Sequence, residues 1–181
     1  YLLYLKIERG LSKNSLDSYA SDIRKLCVYL EAHEITISPA KIDTDTIQQF
    51  IYEASKSINP RSQSRLISGL RSFFDYLLFE KYREINPTDL LESPKIGRKL
   101  PDTMSIEDID FIIGAIDLSK PQGERNRTLL ETLYSCGLRV SELITLQISD
   151  LFFEEGFIRV LGKGNKQRFV PINLQTEKYI T

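Results

Sequence analysis

From Leu16 onward the apolar residues fall at Tyr19, Ala20, Ile23, Leu26, Cys27 and Leu30, one stripe along one helix face. The same period returns at Leu66, Leu70, Phe73, Phe74, Leu77 and Leu78, the inner face of a helix that begins after Pro60 and runs to about Tyr82. A shorter helix is expected over about 45–55, entered through Asp43 or Asp45. Residues 1–8 read as the tail of another, stopped at Gly10. Ser12 or Asn14 is placed to cap the helix that carries the first stripe, because either side chain accepts from open first-turn amides. Amphipathic helices of this length hold together only by packing their apolar faces. With no strand pattern competing, residues 1–93 are expected to form a small helical bundle.

The pattern breaks at ESPKIGRKLPD, residues 92–102. Pro94 and Pro101 resist helix, Gly97 is permissive, and Lys95, Arg98 and Lys99 make the stretch basic. That composition predicts an interdomain linker over 94–102, with a second unit over 103–181. A helix should follow Ser105 as its cap, with Asp108 and its acidic neighbours favourable at the start. Another is expected over about Arg125 to Cys136, ended by Gly137. The chain then turns to shorter strand-like runs, LQISDLF, GFIRVL and QRFVPI, the last two joined by GKGNK as a β-hairpin. The fold class is therefore mainly α with a small antiparallel β-sheet.

Composition bounds the function classes only loosely. At 181 residues, 41% hydrophobic and 27% charged, the chain has the make-up of an ordinary globular protein. A net charge of −1 gives no general attraction to nucleic acid, so only local clusters of Lys and Arg can supply one. Cys27 and Cys136 sit among apolar residues without Cys-x-x-Cys spacing, and both are expected to be buried, reduced and free of metal in a cytoplasmic protein. His33, the single histidine, is expected at the surface. No signal peptide or long apolar span argues for membrane insertion. The first residue is Tyr1 rather than methionine, and the chain is expected to be a piece of a longer protein.

Three places carry groups suited to chemistry. On NPRSQSRLISGLRSFFDYL, Arg61, Ser64, Arg65 and Ser68 lie opposite the apolar face, with Arg71 slightly to one side. Hydroxyls and guanidiniums both donate to phosphate oxygens, Gly69 permits close approach, and no acid occurs between Lys56 and Phe74. Lys13, Asn14 and Ser15 open the earlier helix with the same small, non-acidic character. A solvated helix face is the plain alternative; two such helices favour a surface along DNA. In YSCGLRVSELITL, Arg139 falls at a helix start, a setting for an anion, while Glu142 three residues on can pin the arginine or cap the turn. Spacing alone favours a structural salt bridge there. GFIRVLGKGNKQRFVPIN fits neither a Walker loop nor GxGxxG, since strand-like sequence rather than a helix follows its glycines. What remains is a hairpin with Lys163 at its tip and Lys166 and Arg168 beyond, free of acids from Gly156 to Gln175. Such a tip either reaches into a polyanion or is merely a basic hairpin.

In this order, YLKIERGLSKNSLDSYASDIRKL, SRLISGLRSFFDYLL, NPTDLLESPKIGRKLP, LYSCGLRVSELITLQISDL and IRVLGKGNKQRFVPI resemble the tyrosine recombinases of the phage integrase family. The SPK-to-LP linker favours their Xer group. The resemblance runs along nearly the whole chain, and the ordered set is far more specific than any one motif. It implies an N-terminal helical core-binding (SAM-like) bundle over 1–93 and the first part of an α+β catalytic domain over 103–181. It also implies site-specific cutting and rejoining of duplex DNA through a 3′-phosphotyrosyl intermediate, with no cofactor and no metal, for chromosome dimer resolution. Implied partners are double-stranded DNA, a second Xer-type subunit in a tetrameric synapse, and a septal DNA translocase. Arg139 matches the first catalytic arginine, and Lys163 the hairpin lysine that protonates the leaving 5′-oxygen.

The family's His-x-x-Arg pair, a further histidine or tryptophan, and the nucleophilic tyrosine have no match here. No histidine follows Lys163, and Tyr179 comes too early and is expected to be an ordinary residue of the next helix. The chain alone is expected to bind DNA weakly at most and not to cleave it, with the missing groups downstream of Thr181. A non-catalytic DNA-binding accessory protein of the same ancestry, an integrase of a mobile element and a helical interaction protein remain as alternatives.

Overall fold

The computed structural model describes residues 1–97, 100–162, 164 and 166–181. They fall into two compact units, Tyr1–Lys99 and Leu100–Thr181, each with its own core.

The first unit holds α1 (Leu2–Ile7), α2 (Lys13–Ala32), a 3-10 turn (Pro39–Lys41), α3 (Thr44–Ser55) and α4 (Pro60–Phe79). Each longer helix starts where a side chain can accept from its open amides. Ser12 accepts from the Ser15 amide at 3.4 Å, Asp43 from Thr46 at 2.8 Å, and Asn59 from Ser62 at 2.8 Å. Pro60 occupies the first turn of α4, where its missing N–H removes no helical bond. Helix α4 stops at Phe79, three residues before the expected end, because Lys81 takes a positive φ of 60° that no helix accommodates. Leu66, Leu70 and Phe74 of α4 meet Leu26 of α2 and Ile47 of α3, all fully buried.

The expectation for Cys27 was wrong: it is exposed. The buried line on α2 is Asp22, Leu26 and Leu30, an i, i+4 series that leaves position 27 off to the side. An acid thus lies where the apolar stripe has its centre, 1% exposed. Cys136 is buried, and His33 is at the surface beside Glu53 at 3.2 Å. Beyond α4, Arg83 donates to the carbonyls of Ile85, Pro39 and Ile42, and Leu91 joins the core, so the chain remains packed on this unit past its last helix.

The second unit contains α5 (Ile106–Gly114), α6 (Gly123–Ser135), α7 (Val140–Ile144), a 3-10 turn (Ile148–Asp150), β1 (Leu151–Phe152), β2 (Phe157–Leu161), β3 (Gln167–Pro171) and α8 (Leu174–Ile180). Ser105 and Asp108 close a reciprocal capping box on α5. Strands β1, β2 and β3 form an antiparallel sheet in that order, with Ile158 opposite Val170 and Leu161 opposite Gln167. LQISDLF is mostly not a strand. Asp150 accepts from the Gln147 amide and from Arg159, which winds 148–150 into a turn and leaves only Leu151 and Phe152 to pair. Ile158 and Val160 face inward onto Cys136, Leu138 and Leu143. Among the described residues no helix is long and apolar enough to cross a membrane.

Phe74 is the largest fully buried side chain of the first unit. Replacing it with Ala is expected to remove about 3–5 kcal/mol of stability, read as a lower urea midpoint for that unit.

Candidate nucleic-acid interface and anion site

Gly137 ends α6 with a φ of +57°, a conformation that costs a residue bearing a Cβ. The chain reverses there, Leu138 enters the sheet-side core, and Arg139 becomes the extended residue just before α7. Glu142 reaches back, and its Oε2 accepts from the Arg139 backbone N–H at 2.8 Å. Its Oε1 accepts from Arg139 Nη1 at 2.7 Å. The pinning and the capping foreseen for Glu142 both occur, and the salt bridge does not exclude an open guanidinium. Arg139 keeps 69% of its side chain exposed, and only Nη1 is engaged among the described residues.

Glu142 also holds β3. Arg168 donates Nη1 to Oε1 at 2.7 Å and Nη2 to Oε2 at 2.9 Å, a two-pronged pair across the hairpin base. Arg168, expected among the DNA contacts, has its fork on a carboxylate only 4% exposed. The Arg168 fork, the Arg139 amide and the Arg139 side chain together pull the Glu142 carboxyl far below its ordinary range, against the opposing effect of desolvation. Gly162, at the neck of the hairpin, borders this cluster: a Cβ there would lie 3.4 Å from Arg168 Nη1 and 3.6 Å from Glu142 Oε1. Lys163, the expected hairpin-tip lysine, lies outside the described residues. Lys166 is exposed.

In the first unit, Arg61 and Lys13 are exposed, as are Asn14 and Ser68, while Ser15 and Ser64 are half-buried. Arg71 is half-buried, and its Nη2 reaches back to the carbonyls of Thr88 and Leu91, at 3.4 and 3.1 Å. Arg65 meets an acid after all. Both Nη atoms donate to Asp22, at 2.7 and 2.6 Å. Nothing within the α4 sequence announces this, because the partner comes from α2. The signal that could have found it is positional: Asp22 stands four residues before Leu26 in the buried line, and a buried acid requires a cation. Gly69 is explained by the same pair, since a Cβ at 69 would overlap the Asp22 carboxylate.

Tyr179 lies in α8, where its hydroxyl accepts from Arg127 Nη2 and Gln175 Nε2. Among the described residues no cluster of three or more His, Cys, Asp or Glu side chains could hold a metal ion.

Residues 103–181 match the phage integrase family model, and residues 1–81 match the model for the phage integrase N-terminal SAM-like domain. The chain is 39% identical over 181 residues to tyrosine recombinase XerD of Staphylococcus haemolyticus, covering 99% of this chain and 61% of that protein. It is 40% identical over 182 residues to tyrosine recombinase XerD of Staphylococcus epidermidis, again covering 61% of that protein. The chain thus spans about three-fifths of the length of these relatives. Among solved structures, the XerH site-specific recombinase bound to palindromic difH substrate superposes with a TM-score of 0.72 at 23% identity, over 95% of this chain and 52% of that one. A lambda integrase dimer bound to a COC′ core site gives 0.74 at 20% identity, over 97% of this chain and 64% of that one. At these identities the likeness carries the fold.

A carboxyl held below its ordinary range stabilises the fold above its unfolded pKa of about 4.3, and the contribution fades as pH falls through the folded value. Glu142→Gln keeps the shape and removes that charge. The variant is expected to be less stable than the parent at neutral pH. The gap should narrow progressively below about pH 4, as urea midpoints taken across pH would show.

Proposed function

Since the chain belongs to the phage integrase, or tyrosine recombinase, family, we propose that it serves a site-specific recombinase that cuts and rejoins duplex DNA. The observation that carries the reading is the exposed Arg139 guanidinium, oriented through a single nitrogen by a buried carboxylate. A donor fixed in advance, with Nε and Nη2 unengaged among the described residues, is suited to oxygens on which charge accumulates during phosphoryl transfer. In the proposed reaction a tyrosine oxygen attacks the scissile phosphorus, the bond to the 5′-oxygen breaks, and that oxygen takes a proton from Lys163. The phosphotyrosyl bond retains the energy for rejoining, so strand exchange is the reverse step on a partner strand.

The 181 residues contain Arg139 and Lys163 but no His-x-x-Arg after them. On this reading they bind DNA without cleaving it, because the nucleophile and its activating neighbours must be present together. The finer proposals rest on the resemblance of the ordered motifs to the Xer group. The activity is chromosome dimer resolution in the cytoplasm. It uses double-stranded DNA, a second Xer-type subunit in a tetrameric synapse, and a septal DNA translocase. A non-catalytic accessory protein of the same ancestry, or an integrase of a mobile element, would share the DNA surface and differ in the chemistry.

Binding to duplex DNA by a polypeptide that extends this chain through the His-x-x-Arg pair and the tyrosine should weaken steeply with salt, as fluorescence anisotropy would show; salt-independent or absent binding there would sink the reading. In a polypeptide that also carries the His-x-x-Arg pair and the tyrosine, Arg139→Ala should abolish strand cleavage while changing DNA affinity by only about two- to threefold. In the same polypeptide, cleavage lost in Lys163→Ala should return on a 5′-bridging phosphorothiolate, whose sulfur leaves without a proton. No rescue would remove Lys163 from the acid role.

A further inference from the structure

Arg65 differs from every other basic side chain on its face of the first unit. Its partner Asp22 is 1% exposed, and Gly69 lets that carboxylate lie against α4. The two Nη atoms are aligned on the two carboxylate oxygens, so the plane and direction of the guanidinium are set. Yet 48% of the Arg65 side chain remains exposed. It borders a cavity of about 320 Å³ whose other walls include Asn14, Ser15, Ser18 and Ser68. Among the described residues Nε–H and the outer Nη–H groups of Arg65 have no protein partner.

Two properties then separate Arg65 from a phosphate contact. Its charge is balanced by Asp22, so it adds little to the attraction between protein and DNA backbone, which grows with net positive charge. Its donors are fixed in space, whereas a phosphate contact tolerates a mobile cation such as exposed Arg61 or Lys13. A rigid pair of parallel N–H donors on a neutralised arginine fits the O6 and N7 acceptors of guanine in the major groove. The small side chains around it allow that approach. We propose that Arg65 reads a guanine in the DNA site and that Asp22 is its positioning residue. This rests on the DNA-binding reading above and assigns to one residue a specificity that reading leaves open.

The probe is a pool of duplexes randomised over about 30 base pairs, long enough for two half-sites one to two helical turns apart. It is selected in parallel with the extended polypeptide of the salt titration as parent and with its Arg65→Lys, Asp22→Asn, and double Asp22→Asn/Arg65→Gln variants, the last of which leaves no buried charge unpaired. The parent should enrich one guanine position per half-site. Arg65→Lys and the double variant should lose that preference, about 10-fold or more against the other bases, and keep the remaining ones. Asp22→Asn should blur the same position and leave a steeper salt dependence, because an arginine is freed to act as a cation; a merely structural role for Asp22 would move neither. If Asp22→Asn does not fold, Arg65→Lys alone decides, since it retains a cation for Asp22 but not the fork. Uniform weakening at all sequences, or an unchanged guanine preference in Arg65→Lys, overturns the proposal and leaves DNA binding intact. No salt-dependent binding by the parent overturns both.

Discussion

The second unit depends on one carboxylate. Glu142 accepts from the Arg139 backbone N–H, from Arg139 Nη1 and from both Nη atoms of Arg168. Those four bonds join the turn after α6, the start of α7 and strand β3. Loss of the acid would leave two guanidiniums close together with nothing between them and an open amide at the head of a five-residue helix. A helix that short has no stability of its own. It holds because Leu143 packs on the sheet and because Glu142 closes its first turn.

The first unit uses the same device with different elements. Asp22 is buried on α2 against Gly69 of α4, and Arg65 arrives from α4 to neutralise it. In both cases the carboxylate is deep and the guanidinium half in water. Against well-packed apolar residues a buried pair of this kind gains little stability, because desolvation opposes the attraction, although removing one partner alone is costly. What it contributes is direction. A free arginine samples many rotamers, while one held by a buried acid presents the same donors in the same place. The net charge of −1 fits this picture: Arg65, Arg139 and Arg168 are each paired with a buried acid.

Periodicity made most of the fold legible. The helices around Leu26 and Leu70 were readable because an apolar stripe every three to four residues has one efficient way to be buried, and the starts of α2, α3 and α5 were readable from Ser12, Asp43 and Ser105, whose side chains complete open amides. Errors came where a tertiary partner overrode local pattern. Cys27 looked buried beside Leu26, but the packed line runs through Asp22. LQISDLF looked like a strand until Arg159, nine residues on, met Asp150 and supported a turn.

The same division holds for the candidate site. The order of motifs along the chain was enough to point to the family, and Arg139 with Glu142 three residues later was visible as a local unit, since residues at that spacing meet at a helix start. Which arginines remain free was not visible. Arg65 and Arg168 looked equivalent to Arg61 in sequence, because no acid stands near them on their own elements, while Arg71, with Asp75 four residues on, donates instead to carbonyls beyond α4. Folding brings Asp22, the carbonyls of Thr88 and Leu91, and Glu142 to them from 17 to 43 residues away. Local spacing specifies helices, caps and turns because those interactions span four residues or fewer. The partner of a charged side chain is set by which elements pack together, and that is decided only when the chain has folded.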